Sequence, residues 1–98
     1  MVKRIVWTDT AIRKYQDVIF YYKQQDARKS AERFQKAVNK KITQLEQQPY
    51  IGRLSPKFKT MRLLNIDEYR QMGYRINGAT LYISNFRDMR QNPKKRPF

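Results

Sequence analysis

Residues 69–86 read Y-R-Q-M-G-Y-R-I-N-G-A-T-L-Y-I-S-N-F. Two stretches rich in aromatic and aliphatic side chains flank Asn77-Gly78, a dipeptide that accepts the positive φ angles of a tight hairpin turn. The spacing predicts one strand over Tyr69–Ile76 and a second over Thr80–Phe86. Side chains alternate with period two along a strand, so Arg70, Met72, Tyr74 and Ile76 share one face. Just upstream, Met61–Ile66 has strand character and Asp67-Glu68 suits a short turn. Three strands joined by tight turns pair antiparallel.

The amino-terminal half must cover such a sheet. Val2–Trp7 is short, β-branched and aromatic, and is expected to be a further strand. Thr8-Asp9-Thr10 can cap a helix. The apolar set Ala11, Ile12, Tyr15, Val18, Ile19 and Tyr22 then falls on one helical face, predicting a helix over about Asp9–Gln25. Asp26 is expected to cap a second helix, whose apolar set is Ala27, Ala31, Phe34, Val38, Ile42 and Leu45. That helix should end near Gln48, because Pro49 cannot continue it. Pro49–Thr60, with two Pro and one Gly, reads as a loop. The expected architecture is an α+β fold, a helical hairpin packed on an antiparallel sheet in the order β-α-α-β-β-β. The 98 residues suffice for one domain with a modest core, closed by a basic tail over about residues 91–98.

Composition narrows the chemistry. With 22 Lys and Arg against 8 Asp and Glu, the formal charge is +14. Such a charge suits a polyanionic partner. The chain has no Cys and no His. This removes disulfides, thiolate or imidazole metal sites, and the usual general base. No metal or other cofactor is expected. No apolar run approaches the roughly 20 residues of a membrane span, so a cytoplasmic protein with no membrane partner is the expectation.

The cations fall into groups. Lys29, Arg33, Lys36 and Lys40 recur at helical spacing on the second helix, as a solvated face would. Arg53, Lys57, Lys59 and Arg62 occupy a segment with no acid at all. Arg70 and Arg75 lie on one strand, and Arg87, Arg90, Lys94, Lys95 and Arg96 follow the last one. Loops and strand ends of a sheet can gather these groups around a face carrying Tyr69, Tyr74 or Tyr82, where rings could stack on RNA bases. The alternative for Arg70 is an ion pair with Asp67, Glu68 or Asp88. Trp7, Tyr15, Phe34 and at least one tyrosine of the last two strands are expected in the core.

Taken in order, W-T-D-T-A (7–11), Y-Y (21–22), A-E-R-F-Q-K-A-V-N-K-K-I-T-Q-L-E-Q-Q-P-Y-I-G-R (31–53), E-Y-R-Q-M-G-Y-R-I (68–76) and N-G-A-T-L-Y-I-S-N-F-R-D-M-R-Q-N-P (77–93) resemble the RelE/ParE superfamily of toxins from bacterial type II toxin–antitoxin, or plasmid stabilisation, systems. The resemblance covers residues 2–95 and implies the same α+β fold. It also implies a cognate antitoxin whose tail wraps the toxin, with which it could form a hetero-oligomer. ParE-like members poison DNA gyrase. RelE-like members cut messenger RNA on the ribosome, and an inactive relative that only binds is a third possibility. Whether the chain is an enzyme stays open at this point.

For nuclease members the E-Y-R match puts one catalytic arginine at Arg70, and R-D-M-R-Q-N puts the other at Arg90. Arginine there would stabilise charge developing on phosphate. Departures favour the ParE-like branch. Met61 and Leu63 stand where RelE-like nucleases place paired lysines, Arg62 between them points to the other face, and the terminal catalytic tyrosine has no counterpart. The expected target-binding set is therefore Arg53, Lys57, Lys59, Arg62, Arg87, Lys94 and Lys95, with Arg70 and Arg90.

Overall fold

The computed structural model describes residues 2–90. The basic tail expected at 91–98, with Lys94 and Lys95, lies outside them. In chain order the elements are β1 (Arg4–Trp7), α1 (Asp9–Gln24), α2 (Arg28–Gln47), β2 (Arg53–Leu54), β3 (Arg62–Asn65), β4 (Arg70–Asn77) and β5 (Thr80–Asp88).

Thr8 caps α1. Its backbone is extended and its hydroxyl accepts from the Ala11 N–H at 3.2 Å, satisfying one of the free donors of the first turn. Asp9 in the first turn and Lys23 in the last complement the helix dipole. The second cap differs from expectation. Ala27 is the N-cap of α2 and makes no side-chain cap bond. Asp26 instead takes a left-handed conformation, φ 55°, which a short polar side chain tolerates. It turns the chain between the helices rather than capping the second one. At the other end, α2 stops before Pro49 as predicted.

The five strands lie in the order β1-β5-β4-β3-β2. From β2 to β5 every pairing is antiparallel, but β1 pairs parallel with β5. The sheet is therefore mixed, and the expectation of a wholly antiparallel sheet is corrected at this edge. Tight turns set the direction of β3, β4 and β5. β1 is followed by the helical hairpin, a crossover long enough to permit parallel pairing. β2 lies inside the segment read as a loop; two residues carry no periodicity to detect. In the β4–β5 hairpin Gly78 has φ 64°, as the Asn-Gly turn demands. Gly73 pairs with Asn85 and Tyr74 with Ile83, so Ser84 is the extra residue of a bulge.

The core lies between the helices and one sheet face. Met72, Tyr74, Leu81, Ile83 and Phe86 from the sheet meet Ala11, Phe34, Val38 and Leu45 from the helices. Burying each large side chain contributes about 1.5–3 kcal/mol. Trp7, Tyr15, Phe34 and Phe86 form a ring cluster with centroids 5.1–6.2 Å apart. The face shared by Arg70, Met72 and Tyr74 is thus the covered one. Tyr74 is fully buried and cannot stack on a base, so the expected RNA-stacking face loses that member. Tyr82 pairs across from Arg75 on the other, helix-free face.

Candidate functional site

Arg70 opens β4 at the end of the sheet nearest the β3–β4 turn. It is 5% exposed. Its Nη1 donates to the Tyr22 hydroxyl at 2.7 Å, and its guanidinium carbon lies 5.1 Å from the Tyr22 ring centroid and 5.4 Å from that of Phe34. The second tyrosine of Y-Y on α1 and the buried phenylalanine of α2 therefore clamp this cation. The backbone N–H groups of Tyr69 and Arg70 donate to Asp67 Oδ1 at 2.8 and 2.9 Å, forming the turn that delivers Arg70. None of the acids expected to pair with Arg70 forms an ion pair with it among the described residues.

Arg90 follows β5 and stands beside this turn. Its Nε and Nη2 donate to both oxygens of Asp88 at 3.1 and 3.0 Å, a bidentate geometry. Its guanidinium carbon sits 4.3 Å from the Tyr69 ring centroid. The Met89 N–H donates to Tyr69 O at 2.7 Å, holding the two segments together. The Arg90 hydrogen bond holds the Asp88 carboxyl below its ordinary value; partial burial opposes this, and Arg70 adds a smaller attraction. A cleft of about 580 Å³ runs past these groups, lined among others by Lys14, Arg70, Arg87, Asp88 and Arg90.

A second basic group lies at the β2 edge. Tyr74, though buried in the sheet, reaches it with its hydroxyl, which donates to Pro49 O at 2.8 Å and accepts from the Gly52 N–H at 2.9 Å. Burial raises the Tyr74 pKa, and the Gly52 hydrogen bond and the Arg62 charge partly offset this. A Cβ on Gly52 would sit 2.6 Å from that hydroxyl, so the close approach requires glycine. Arg62 Nη1 donates to Gly52 O at 2.7 Å and Tyr50 O at 3.2 Å, and its guanidinium lies over the Tyr50 ring. Arg53, Lys57 and Lys59 are exposed around it.

The two groups do not merge. Arg62 pairs across from Tyr74, four residues along β4 from Arg70, a separation of about 13 Å in strand rise. Arg70, Arg87 and Arg90 gather at one corner, and Arg53, Lys57, Lys59 and Arg62 at the opposite edge. Met61 and Leu63 lie over Gly73, where an added Cβ would be 3.0 Å from Met61 Sδ and 3.8 Å from Leu63 Cδ2. Sequence reasoning missed Tyr22, Phe34 and Tyr69 as partners of the arginines, and Tyr50 as the partner of Arg62. Only the Y-Y pair offered a signal, and it does not say which ring turns inward.

Residues 5–93 match the family model described as the ParE toxin of the type II toxin–antitoxin system parDE. The chain belongs to the ParE toxin family. Membership implies a cognate antitoxin. Among solved structures, the chain resembles one from the chromosomal ParDE toxin–antitoxin system of P. aeruginosa, with TM-score 0.73 and 17% identity, covering 90% of this chain and 96% of that one. It also resembles a YoeB/ParE toxin from Agrobacterium tumefaciens, with TM-score 0.65 and 20% identity, covering 87% and 96%. At these identities the likeness is one of fold. A search of curated proteins returns no match. In this ParE-family chain, no helix among the described residues is long and apolar enough to cross a membrane.

Proposed function

We propose that this chain is a ParE-like toxin that stops growth by binding DNA gyrase in the cytoplasm, and that it does not cleave messenger RNA. The observation that supports this most is the engagement of the two arginines assigned to nuclease chemistry. Arg70 is buried between two rings and bonded to Tyr22. Arg90 is held bidentately by Asp88. A donor that must meet a developing phosphate charge works best preorganised and free. Met61 and Leu63 stand in place of the paired lysines and the chain has no His, which leaves Lys14, Tyr21 and the acids of the cleft as the remaining proton carriers.

Inhibition then works by binding. The cognate antitoxin neutralises the toxin by laying an apolar and acidic segment across the helical hairpin and the basic corner, folding as it binds. The exposed Phe20 and Tyr21 of α1 offer apolar surface for it, and Lys14 and Arg87 offer charge.

The purified chain is expected to reduce gyrase supercoiling and accumulate cleaved DNA, while ribosome-bound message stays intact. Cuts in the ribosomal A site that slow at least about tenfold in Arg90→Ala, the scale of a lost charge-stabilising donor, would overturn the reading in favour of a nuclease. Unchanged growth on expression without antitoxin would overturn it in favour of a binding-only relative.

A further inference from the structure

We infer that the surface between Tyr50 and Arg62 binds single-stranded nucleic acid, stacking bases on Tyr50 and Phe58 while Arg53, Lys57 and Lys59 hold phosphates. The inference stands beside the gyrase reading and does not depend on it.

Two exposed rings carry the argument. Tyr50 is 65% and Phe58 54% exposed, as open as Phe20 and Tyr21 on α1, but these two lie within a segment that holds cations and no acid. Each has a cation beside it: the Arg62 guanidinium 5.0 Å from the Tyr50 centroid and Lys57 Nζ 5.7 Å from the Phe58 centroid. Rings beside cations on an exposed edge form the platform on which bases stack without sequence preference, with phosphates held alongside.

The surface is also cross-tied by hydrogen bonds. Ser55 Oγ accepts from the N–H groups of Lys57 and Phe58, both at 3.1 Å. The Ser55 N–H donates to Met61 O at 2.8 Å, and the Met61 N–H to Phe58 O at 3.0 Å. Around Tyr50, the Tyr74 hydroxyl and Arg62 fix the backbone from Pro49 to Gly52. Both rings are therefore held on a fixed backbone before any ligand arrives, which reduces the ordering cost of binding.

Charge selects the occupant. No Asp or Glu occurs from residue 47 to residue 66. The lysine and arginine stripe of α2 provides the contrast: it includes Glu32 and carries no exposed ring, as a solvated face does. An acidic peptide adding a strand to β2 would gain little, since β2 has two residues and is followed by Ser55-Pro56, and short edges with Pro resist pairing. In a duplex the bases are stacked on one another and their faces are out of reach, so the single strand is favoured.

Fluorescence anisotropy of the full chain with short labelled oligothymidine tests this, with the matching duplex and poly-glutamate as competitors. Tyr50→Leu and Phe58→Leu, both surface changes verified by an unchanged circular dichroism spectrum, are each expected to weaken binding about tenfold. Lys57→Gln/Lys59→Gln should lower the slope of log affinity against log salt by about 1.4, at roughly 0.7 per lost phosphate contact. Lys29→Gln/Lys36→Gln should change neither quantity. Ring variants that bind as well as the parent, a duplex that binds as tightly as the single strand, or poly-glutamate binding without oligonucleotide binding would each overturn the inference. Gyrase inhibition that survives in Tyr50→Leu/Phe58→Leu is expected if the two readings are independent, and its loss together with oligonucleotide binding would overturn that independence.

Discussion

The two basic regions of this molecule carry similar numbers of cations and treat them in opposite ways. At the Arg70 corner the protein supplies the partners itself: Tyr22 and Phe34 for Arg70, Asp88 and Tyr69 for Arg90. At the β2 edge no carboxylate is within the segment; Arg62 is bonded to backbone carbonyls and stacked on Tyr50, but Arg53, Lys57 and Lys59 stay exposed. A buried charge that is already stacked and bonded, as Arg70 is, contributes to the fold. An exposed cation with no carboxylate in its segment, such as Arg53, Lys57 or Lys59, has affinity to offer. Counting cations along the chain does not separate these cases; the side chains around each one do.

The largest expected effect tests the corner. Arg70→Ala removes a buried guanidinium, its bond to Tyr22 and its contact with two rings, and leaves a void. The loss should be about 3 kcal/mol, combining a charged hydrogen bond with desolvated ring contacts. Arg70→Met, which refills the space without the charge, should recover most of it, because an apolar isostere often replaces a buried ion without loss. Urea denaturation measures both. An Arg70→Ala midpoint equal to that of the parent would mean the guanidinium is not structural and is available for phosphate, collapsing the contrast with the edge.

At the edge, Gly52→Ala is the matching lesion. Its Cβ would press on Tyr74 Oη, Tyr74 Cε1 and Leu63 O. Two of these belong to a buried ring, and the third is backbone, so relief requires breaking the Gly52–Tyr74 hydrogen bond. About 2 kcal/mol of stability should go, in the range of overpacking. Oligonucleotide affinity should fall with it, because Tyr50 loses its fixed backbone. Loss of stability without loss of affinity would separate the loop's anchoring from its binding.

The sheet explains which features could be anticipated. The Asn77-Gly78 hairpin and the two helices were readable because their signals are local: turn chemistry, period two, and apolar steps of three and four. The parallel pairing of β1 was not, since no turn joins Trp7 to β5. Asp26 looked like a cap because Asp is a common one, yet its left-handed φ suits it equally to turning the chain. For the arginines, the alternation rule placed Arg70 on one face with Met72 and Tyr74. Only the packing of α1 and α2 shows that this face is the covered one, and that Tyr22 and Phe34 close over the guanidinium. The edge cations were visible as a run without acids; the exposed rings beside them were not, because exposure of Tyr50 and Phe58 depends on how the loop is tied by Ser55 and Tyr74.

A smaller effect comes from the hydroxyl that ties sheet to edge. Tyr74→Phe keeps the ring and leaves the Gly52 N–H and Pro49 O without their partner, costing about 1.5 kcal/mol. The pH dependence has a definite sign. Burial raises the Tyr74 pKa above its ordinary 10.0, so the folded state holds the phenolic proton more tightly. Its contribution is fully present below pH 10 and is lost as pH rises through the folded value. Parent and Tyr74→Phe stability curves should therefore converge above that point. Parallel curves through the alkaline range would show that this hydroxyl does not link fold and edge.

The smallest effect returns to the corner. Asp88 has its carboxyl pKa lowered, first by the Arg90 hydrogen bond, so its contribution is present above the ordinary carboxylate value of 3.8 and is lost as pH falls through the lowered one. Arg90 is largely in solvent, and exposed pairs add little to stability, so the denaturation midpoint near neutrality should barely move in Arg90→Gln. The titration itself should move. Followed by NMR at the side-chain carboxyl carbon, Asp88 in the parent should titrate below 3.8, and in Arg90→Gln it should rise, leaving burial, which raises it, against the backbone N–H of residue 90 and the weaker pull of Arg70. An Asp88 midpoint that ignores the substitution would mean that Arg90 swings free in solution. It would then be as available to a phosphate as the cations of the β2 edge, and the corner would have only one engaged arginine, not two.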